Sequence, residues 1–134
     1  MKLGQLSEAA IYTQDLAAAK TFYRDVLGLE EISKMDQRRG VAFRCGATVL
    51  LVFDPRRTRI PDAGVPTHGA SGEGHVAFVV EESEIEGWRR RLAEHGVAIE
   101  AEVDWPQGGR SLYFRDPDGN VLELAPPRLW RQEP

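Results

Sequence analysis

Residues 75–96, HVAFVVEESEIEGWRRRLAEHG, decide the fold because they repeat the pattern of residues 8–28, EAAIYTQDLAAAKTFYRDVLG, with one extra residue before the closing glycine. Each copy opens with alternating strand residues and passes through an acidic or hydroxyl-bearing helix start. Apolar residues then recur at helical spacing until a glycine ends the pattern. In the first copy Asp15 is placed to cap, and Leu16, Ala19, Phe22, Tyr23, Val26 and Leu27 form the apolar stripe ahead of Gly28. In the second copy Ser83 and Glu86 have the spacing of a capping box. Ile85, Trp88 and Leu92 continue the stripe, and Gly96 suits the position just past the helix end.

Working outward, three strand-like segments follow each helix. They are LEEIS (29–33), GVAFRCG (40–46) and TVLLVFDP (48–55) after the first, and VAIEAEV (97–103), GRSLYFRDP (109–117) and NVLELAP (120–126) after the second. The unit is βαβββ, used twice: module one at about 4–54 and module two at about 74–127. The connector, about 55–73, is rich in proline and glycine, lacks apolar periodicity and is longer than a turn requires. Its basic cluster, Arg56, Arg57 and Arg59, reads as a solvated loop, with the rim of an anionic-substrate site as the alternative.

The bulk numbers fit a single domain spanning 1–134. A chain of 134 residues with 42% hydrophobic content buries roughly two-thirds of its unfolded surface. The longest apolar runs fall far short of the ~20 residues of a membrane span, and no signal-like segment opens the chain. A soluble, cytoplasmic protein that does not partner a membrane is the expectation. Cys45 is the sole cysteine, which excludes an internal disulfide and a thiolate zinc cluster. A net charge of −4 gives no global attraction to nucleic acid.

The chemistry centres on one carboxylate. The turn Asp116-Pro117-Asp118-Gly119-Asn120 launches a strand in which Val121, Glu123 and Ala125 share a face, opposite Leu122 and Leu124. A lone glutamate in a strand is ordinarily solvated; one covered on both faces needs a metal, an arginine or a cluster of donors. The repeat changes the weighting. Glu8 and His75 open equivalent strands, and both share the face that is not used for packing under the helices. Glu8, His75 and Glu123 therefore form a candidate metal set on pseudo-equivalent strands.

These residues make the chain resemble the vicinal oxygen chelate superfamily, which includes glyoxalase I, extradiol dioxygenases, fosfomycin-resistance transferases and bleomycin-resistance proteins. YTQDLAAAKTFYRDVLGLE resembles the family's first strand and helix, GEGHVAFVV its second-module opening and YFRDPDGNVLEL its final hairpin. The resemblance implies an α+β fold, two βαβββ modules forming an open eight-stranded mixed β cup with outer helices. It also implies one divalent metal ion (iron, manganese, nickel, zinc or magnesium) on Glu8, His75 and Glu123, and no other cofactor. Two departures are visible. Glu8 stands where histidine is common, and Leu51 stands where glyoxalase I and methylmalonyl-CoA epimerase keep a fourth ligand that is also their base.

Three residues are candidates for acid, base or substrate contact. Tyr113 lies ten positions before Glu123 in a segment similar to that of extradiol dioxygenases, where the tyrosine touches bound catechol. His68, on the loop ahead of the His75 strand, has an imidazole suited to proton transfer. Arg110 has the fork to grip a substrate carboxylate or phosphonate. Each has a plainer alternative: packing, a solvated loop, a surface ion pair. The implied function is a divalent-metal-dependent dioxygenase, lyase/isomerase or transferase acting on a small molecule chelated through two neighbouring oxygens, with extradiol-type cleavage leading. The alternative is a metal-free, bleomycin-resistance-like binding protein. Open sheet edges and uncovered apolar side chains make a homodimer the expected assembly.

Overall fold

The alternating segments become strands in two sheets. The computed structural model describes residues 1–32, 39–61 and 64–131, divided between two units, Met1–Gly72 and Glu73–Pro134. Ser33 at the end of LEEIS, and Asp62 and Ala63 of the connector, lie outside the described residues. The first unit holds β1 (Glu8–Tyr12), α1 (Leu16–Thr21), β2 (Glu30–Ile32), β3 (Gly40–Cys45), β4 (Thr48–Phe53) and the one-turn α2 (Pro55–Thr58). The second holds β5 (His75–Val79), α3 (Ile85–Glu94), β6 (Ala101–Asp104), β7 (Arg110–Arg115) and β8 (Val121–Ala125). The sheets have matching orders, β1-β4-β3-β2 and β5-β8-β7-β6. In each, the first pair is parallel and the others antiparallel. This is the α+β, twice-βαβββ mixed architecture that the sequence predicts.

The register shows the repeat residue by residue. Glu8 faces Val49 and Ala10 faces Leu51 in the first sheet; His75 faces Val121 and Ala77 faces Glu123 in the second. Across the next pair, Ala42 faces Leu51 and Tyr113 faces Glu123. Leu51 thus occupies the ladder position of Glu123, and Ala42 that of Tyr113. Leu51 packs with Ala42 and Phe53, flanked by Tyr12, Ile32 and Val49, so the first sheet puts an apolar cluster where the second puts a carboxylate.

Helix ends depart from expectation in instructive ways. Asp15 caps α1 as predicted, its Oδ1 accepting from the Ala18 N–H at 3.1 Å. The helix then widens after six residues into a π-type turn, Phe22–Val26. There the Leu27 N–H reaches back five residues to the Phe22 carbonyl at 3.3 Å. The stripe holds: Phe22, Tyr23, Val26 and Leu27 are all buried, and α1 packs on β3 and β4. In the second unit the capping box does not form. Ser83 lies inside a 3₁₀ turn, Glu82–Glu84, and the residue at the N-cap of α3 is Glu84, whose side chain makes no capping bond; the Glu84 N–H is instead satisfied by the Glu81 carbonyl at 2.9 Å. The C-terminus behaves as read: Gly96 takes φ 70°, and the Val97 and Gly96 N–H groups bond the carbonyls of Leu92 and Ala93 at 2.8 and 3.0 Å. Leu92 is fully buried while Trp88 is only half-buried, so Leu92 is the main anchor of this helix.

The basic cluster is not simply solvated. Asp54 is buried and caps α2 from below, its Oδ1 accepting from the Arg56 N–H at 2.9 Å. The Arg56 guanidinium closes a fork on the same carboxylate, at 3.0 and 2.9 Å. The proline and the short cap convert the start of the connector into a helical turn. No helix among the described residues is long and apolar enough to cross a membrane.

Candidate metal centre

The Asp116–Asn120 turn positions the site through side-chain bonds as well as backbone shape. Gly119 takes φ 83°, which a residue with a Cβ adopts only with strain. Asp116 Oδ1 accepts from the N–H groups of Asp118 and Asn120, both at 2.9 Å. Asn120 Nδ2 donates to Asp116 Oδ2 at 2.8 Å, and Asn120 Oδ1 accepts from the Gly74 N–H at 2.8 Å. The Val121 N–H donates to the Gly74 carbonyl at 2.8 Å. One turn therefore fixes both the start of β8 and the residue before His75.

On β8, Glu123 is 5% exposed, which removes the plain reading of a solvated strand carboxylate. Ser111, fully buried on β7, donates its hydroxyl to Glu123 Oε2 at 2.6 Å. The other oxygen, Oε1, lies 3.4 Å from His75 Nε2. His75 Nδ1 is 2.9 Å from the Val121 carbonyl. A carbonyl only accepts, so Nδ1 carries the hydrogen and Nε2 of the neutral ring presents a lone pair. Two lone-pair atoms then face each other, and a cation between them, or a proton on Nε2, relieves the opposition. An imidazole oriented through Nδ1 by a backbone carbonyl is a common arrangement for a metal-binding histidine. The donor set, one nitrogen and one carboxylate oxygen, suits a borderline or hard divalent ion.

Tyr113, opposite Glu123 on β7, completes the second unit's contribution. Its ring lies nearly parallel to His75, 21° between planes and 6.4 Å between centroids. Burial, then the neighbouring Glu123 carboxylate, push its phenol above the usual range, against a smaller opposing effect of Ser111. The hydroxyl therefore stays protonated through neutral pH and serves as a donor.

The remaining predicted residues divide between the two units. Glu8 stands exposed at the start of β1 in the first unit. Among the described residues no three His, Cys, Asp or Glu side chains gather as a ligand set; the pair His75–Glu123 is what the second unit itself supplies. His68 belongs to the first unit, where Tyr12 Oη lies 2.7 Å from its Nδ1 and the Phe53 ring meets it edge-on at 4.9 Å. It is a half-buried ring on an aromatic face rather than a free loop histidine. Arg110 grips Asp104 across β6 and β7, Nε to Oδ1 at 2.7 Å and Nη2 to Oδ2 at 3.3 Å. By strand alternation it sits with Leu112 and Phe114, opposite the face of Ser111 and Tyr113. That placement matches the surface ion pair and takes Arg110 away from Glu123.

Two residues that sequence reasoning did not single out complete the surroundings. Ser111 was visible in the alternation, two positions from Tyr113 on the same face. Trp105, whose Nε1 donates to Ser111 Oγ at 2.8 Å, left no such signal, because it lies beyond the end of β6 and its direction depends on the Trp105–Gly109 turn.

Residues 5–124 match the Glyoxalase/Bleomycin resistance protein/Dioxygenase superfamily. Glutathione transferase FosA of Serratia marcescens is 33% identical over 126 residues, covering 91% of this chain and 80% of that protein. The crystal structure of lactoylglutathione lyase from Agrobacterium tumefaciens is similar with a TM-score of 0.90 at 40% identity, covering 98% of this chain and 100% of that one. Catechol-2,3-dioxygenase of Bacillus subtilis is 28% identical over 129 residues, which are 93% of this chain and 43% of that protein.

Proposed function

The chain belongs to the glyoxalase/bleomycin resistance protein/dioxygenase superfamily, and from that premise we propose that it is a divalent-metal-dependent enzyme whose small substrate is held through two neighbouring oxygens. The observation that carries the reading is the approach of His75 Nε2 to Glu123 Oε1 at 3.4 Å, with Nδ1 and Oε2 already engaged by Val121 and Ser111. His75 and Glu123 are two donors, and Glu8 is the third, from the same chain or from a second copy. A divalent ion held there would supply Lewis acidity to the chelated oxygens.

The chain's own residues supply orientation and protons. The Tyr113 hydroxyl, kept protonated, donates toward a substrate oxygen that gains negative charge next to Glu123. His68, held by Tyr12, is the candidate for proton transfer. Leu51 within its apolar cluster leaves no carboxylate to serve as a ligand-borne base, which weighs against isomerisation of the glyoxalase I kind. Three subtypes remain. Tyr113 ten positions before Glu123 supports extradiol-type cleavage, whereas the fuller coverage of FosA than of catechol-2,3-dioxygenase, 80% against 43%, supports group transfer. The likeness to lactoylglutathione lyase at 40% identity supports a lyase/isomerase, against the missing carboxylate at Leu51. Oxygen uptake with a catechol panel selects cleavage, and adduct formation from a thiol and an oxygenated acceptor without uptake selects transfer. Rearrangement of a thiol adduct with neither selects the lyase/isomerase.

The metal-free binding reading retains one specific support, the aromatic face of the first unit formed by Tyr12, Phe53 and His68, which suits an organic ring. Elemental analysis of protein equilibrated with each candidate metal and then desalted decides between the readings. Near-stoichiometric metal that falls together in Glu8→Gln, His75→Ala and Glu123→Gln supports the enzyme; absence of metal at every condition supports the binding module.

A further inference from the structure

We infer that Trp105 and Ser111 are positioning residues that orient the Glu123 carboxylate and keep it a one-oxygen donor. The inference rests on the proposal that Glu123 binds metal, and it deepens that proposal by saying what selects the oxygen.

The direction of the chain of hydrogen bonds is forced by chemistry. An indole N–H donates and never accepts. Trp105 Nε1 lies 2.8 Å from Ser111 Oγ, so Oγ accepts there and its single hydrogen is directed elsewhere. Glu123 Oε2, 2.6 Å away, is the acceptor that receives it. Ser111 is 0% exposed, so water does not compete for that hydrogen. Without the indole the hydroxyl could rotate and turn its hydrogen away from Oε2. With it, Oε2 is committed to Ser111 and the carboxylate plane is set. Oε1 is then the oxygen presented to His75 Nε2, 3.4 Å away. Trp105 sits beyond the end of β6, outside the donor set, and acts only through Ser111. Partners that orient ligating groups in this way typically change metal affinity about 10–100-fold when removed.

The test uses the purified full chain, stripped with chelator and titrated with Mn2+. Three variants, Ser111→Ala, Trp105→Phe and Glu123→Gln, are compared with the parent, and each is checked for fold by circular dichroism before titration. Ser111→Ala is expected to weaken binding about 10–100-fold and Trp105→Phe to weaken it less, because the hydroxyl remains but loses its direction. At saturating Mn2+ the electron paramagnetic resonance line shape of Ser111→Ala should differ from the parent's, because a released Oε2 becomes available as a second donor. A purely structural role for the serine leaves that line shape unchanged. Parent-like affinity and line shape in both Ser111→Ala and Trp105→Phe, with Glu123→Gln losing the metal, would overturn the positioning role while leaving the metal reading intact. Parent-like binding in Glu123→Gln would overturn the metal reading itself, and the positioning role with it.

Discussion

Replacing Asn120 with alanine removes two side-chain hydrogen bonds that hold the entry to the candidate site. One is the acceptance from the Gly74 N–H at 2.8 Å, the other the donation to Asp116 Oδ2 at 2.8 Å. Asn120 is 2% exposed and Asp116 6%, so water does not readily substitute. A neutral bond contributes about 0.5–1.5 kcal/mol and a bond to a charged acceptor about 1.5–3, which together come to about 2–4.5 kcal/mol. That is a large share of the ~5–15 kcal/mol that typically stabilises a domain. With a urea slope near 2 kcal/mol/M the midpoint should fall by about 1–2 M. Asn120→Asp keeps the shape but turns an oxygen toward Asp116 where the N–H stood, so it should not rescue. The assay is equilibrium urea unfolding followed by far-ultraviolet circular dichroism, with fluorescence as a second probe to check that the two transitions coincide. A midpoint shift below about 0.3 M, equivalent to about 0.6 kcal/mol at that slope, would refute the claim that this turn staples β8 to the residue before His75.

Other expectations follow from the same contacts. Leu92→Ala should cost about 2–5 kcal/mol because the side chain is fully buried, and half-buried Trp88→Ala should cost less; the reverse order by urea unfolding contradicts the assignment of the α3 anchor. The Arg56 side chain holds the Asp54 carboxyl below its usual range. Its contribution is present above the unfolded value near 4 and is lost as pH falls through the lower folded value, so Asp54→Asn should flatten the acid limb of a stability profile. An unchanged slope below about pH 4 counts against that pairing. Light scattering at micromolar concentration should give twice the chain mass. The reasons are that β1 and β5 end the strand order of their sheets and that Val79 on β5 is 71% exposed; a monomer mass refutes the expected dimer.

Much of the fold was legible because its signals are local. The glycines at 28 and 96 both take positive φ, and strand alternation set Leu122 and Leu124 together on one face of their strand, where both are buried. The offset repeat of Glu8 and His75 reappears as equivalent ladder positions. What stayed hidden depends on the path of the backbone. A 3₁₀ turn that starts before Ser83 leaves no capping site, and the sequence spacing of Ser83 and Glu86 cannot reveal it. Adjacent apolar pairs at Phe22–Tyr23 and Val26–Leu27 read equally well as α or π. Arg110 was chosen for its chemistry, whereas its strand parity already put it on the face opposite Tyr113. The hydrogen bond from Trp105 crosses a turn, so only coordinates show that the indole reaches Ser111.

The central claim is that His75 and Glu123 hold a divalent ion, and metal titration of the chelator-stripped parent beside Glu123→Gln tests it most directly. Glutamine keeps the shape and can still accept from Ser111 while removing the charge, so its fold should remain close to the parent's. The account predicts saturable binding near one ion per chain in the parent, weakened by orders of magnitude in Glu123→Gln, and lost from the parent in acid as His75 and the carboxylates take up protons. A parent that binds no divalent ion, or a Glu123→Gln that binds as tightly as the parent, would contradict it.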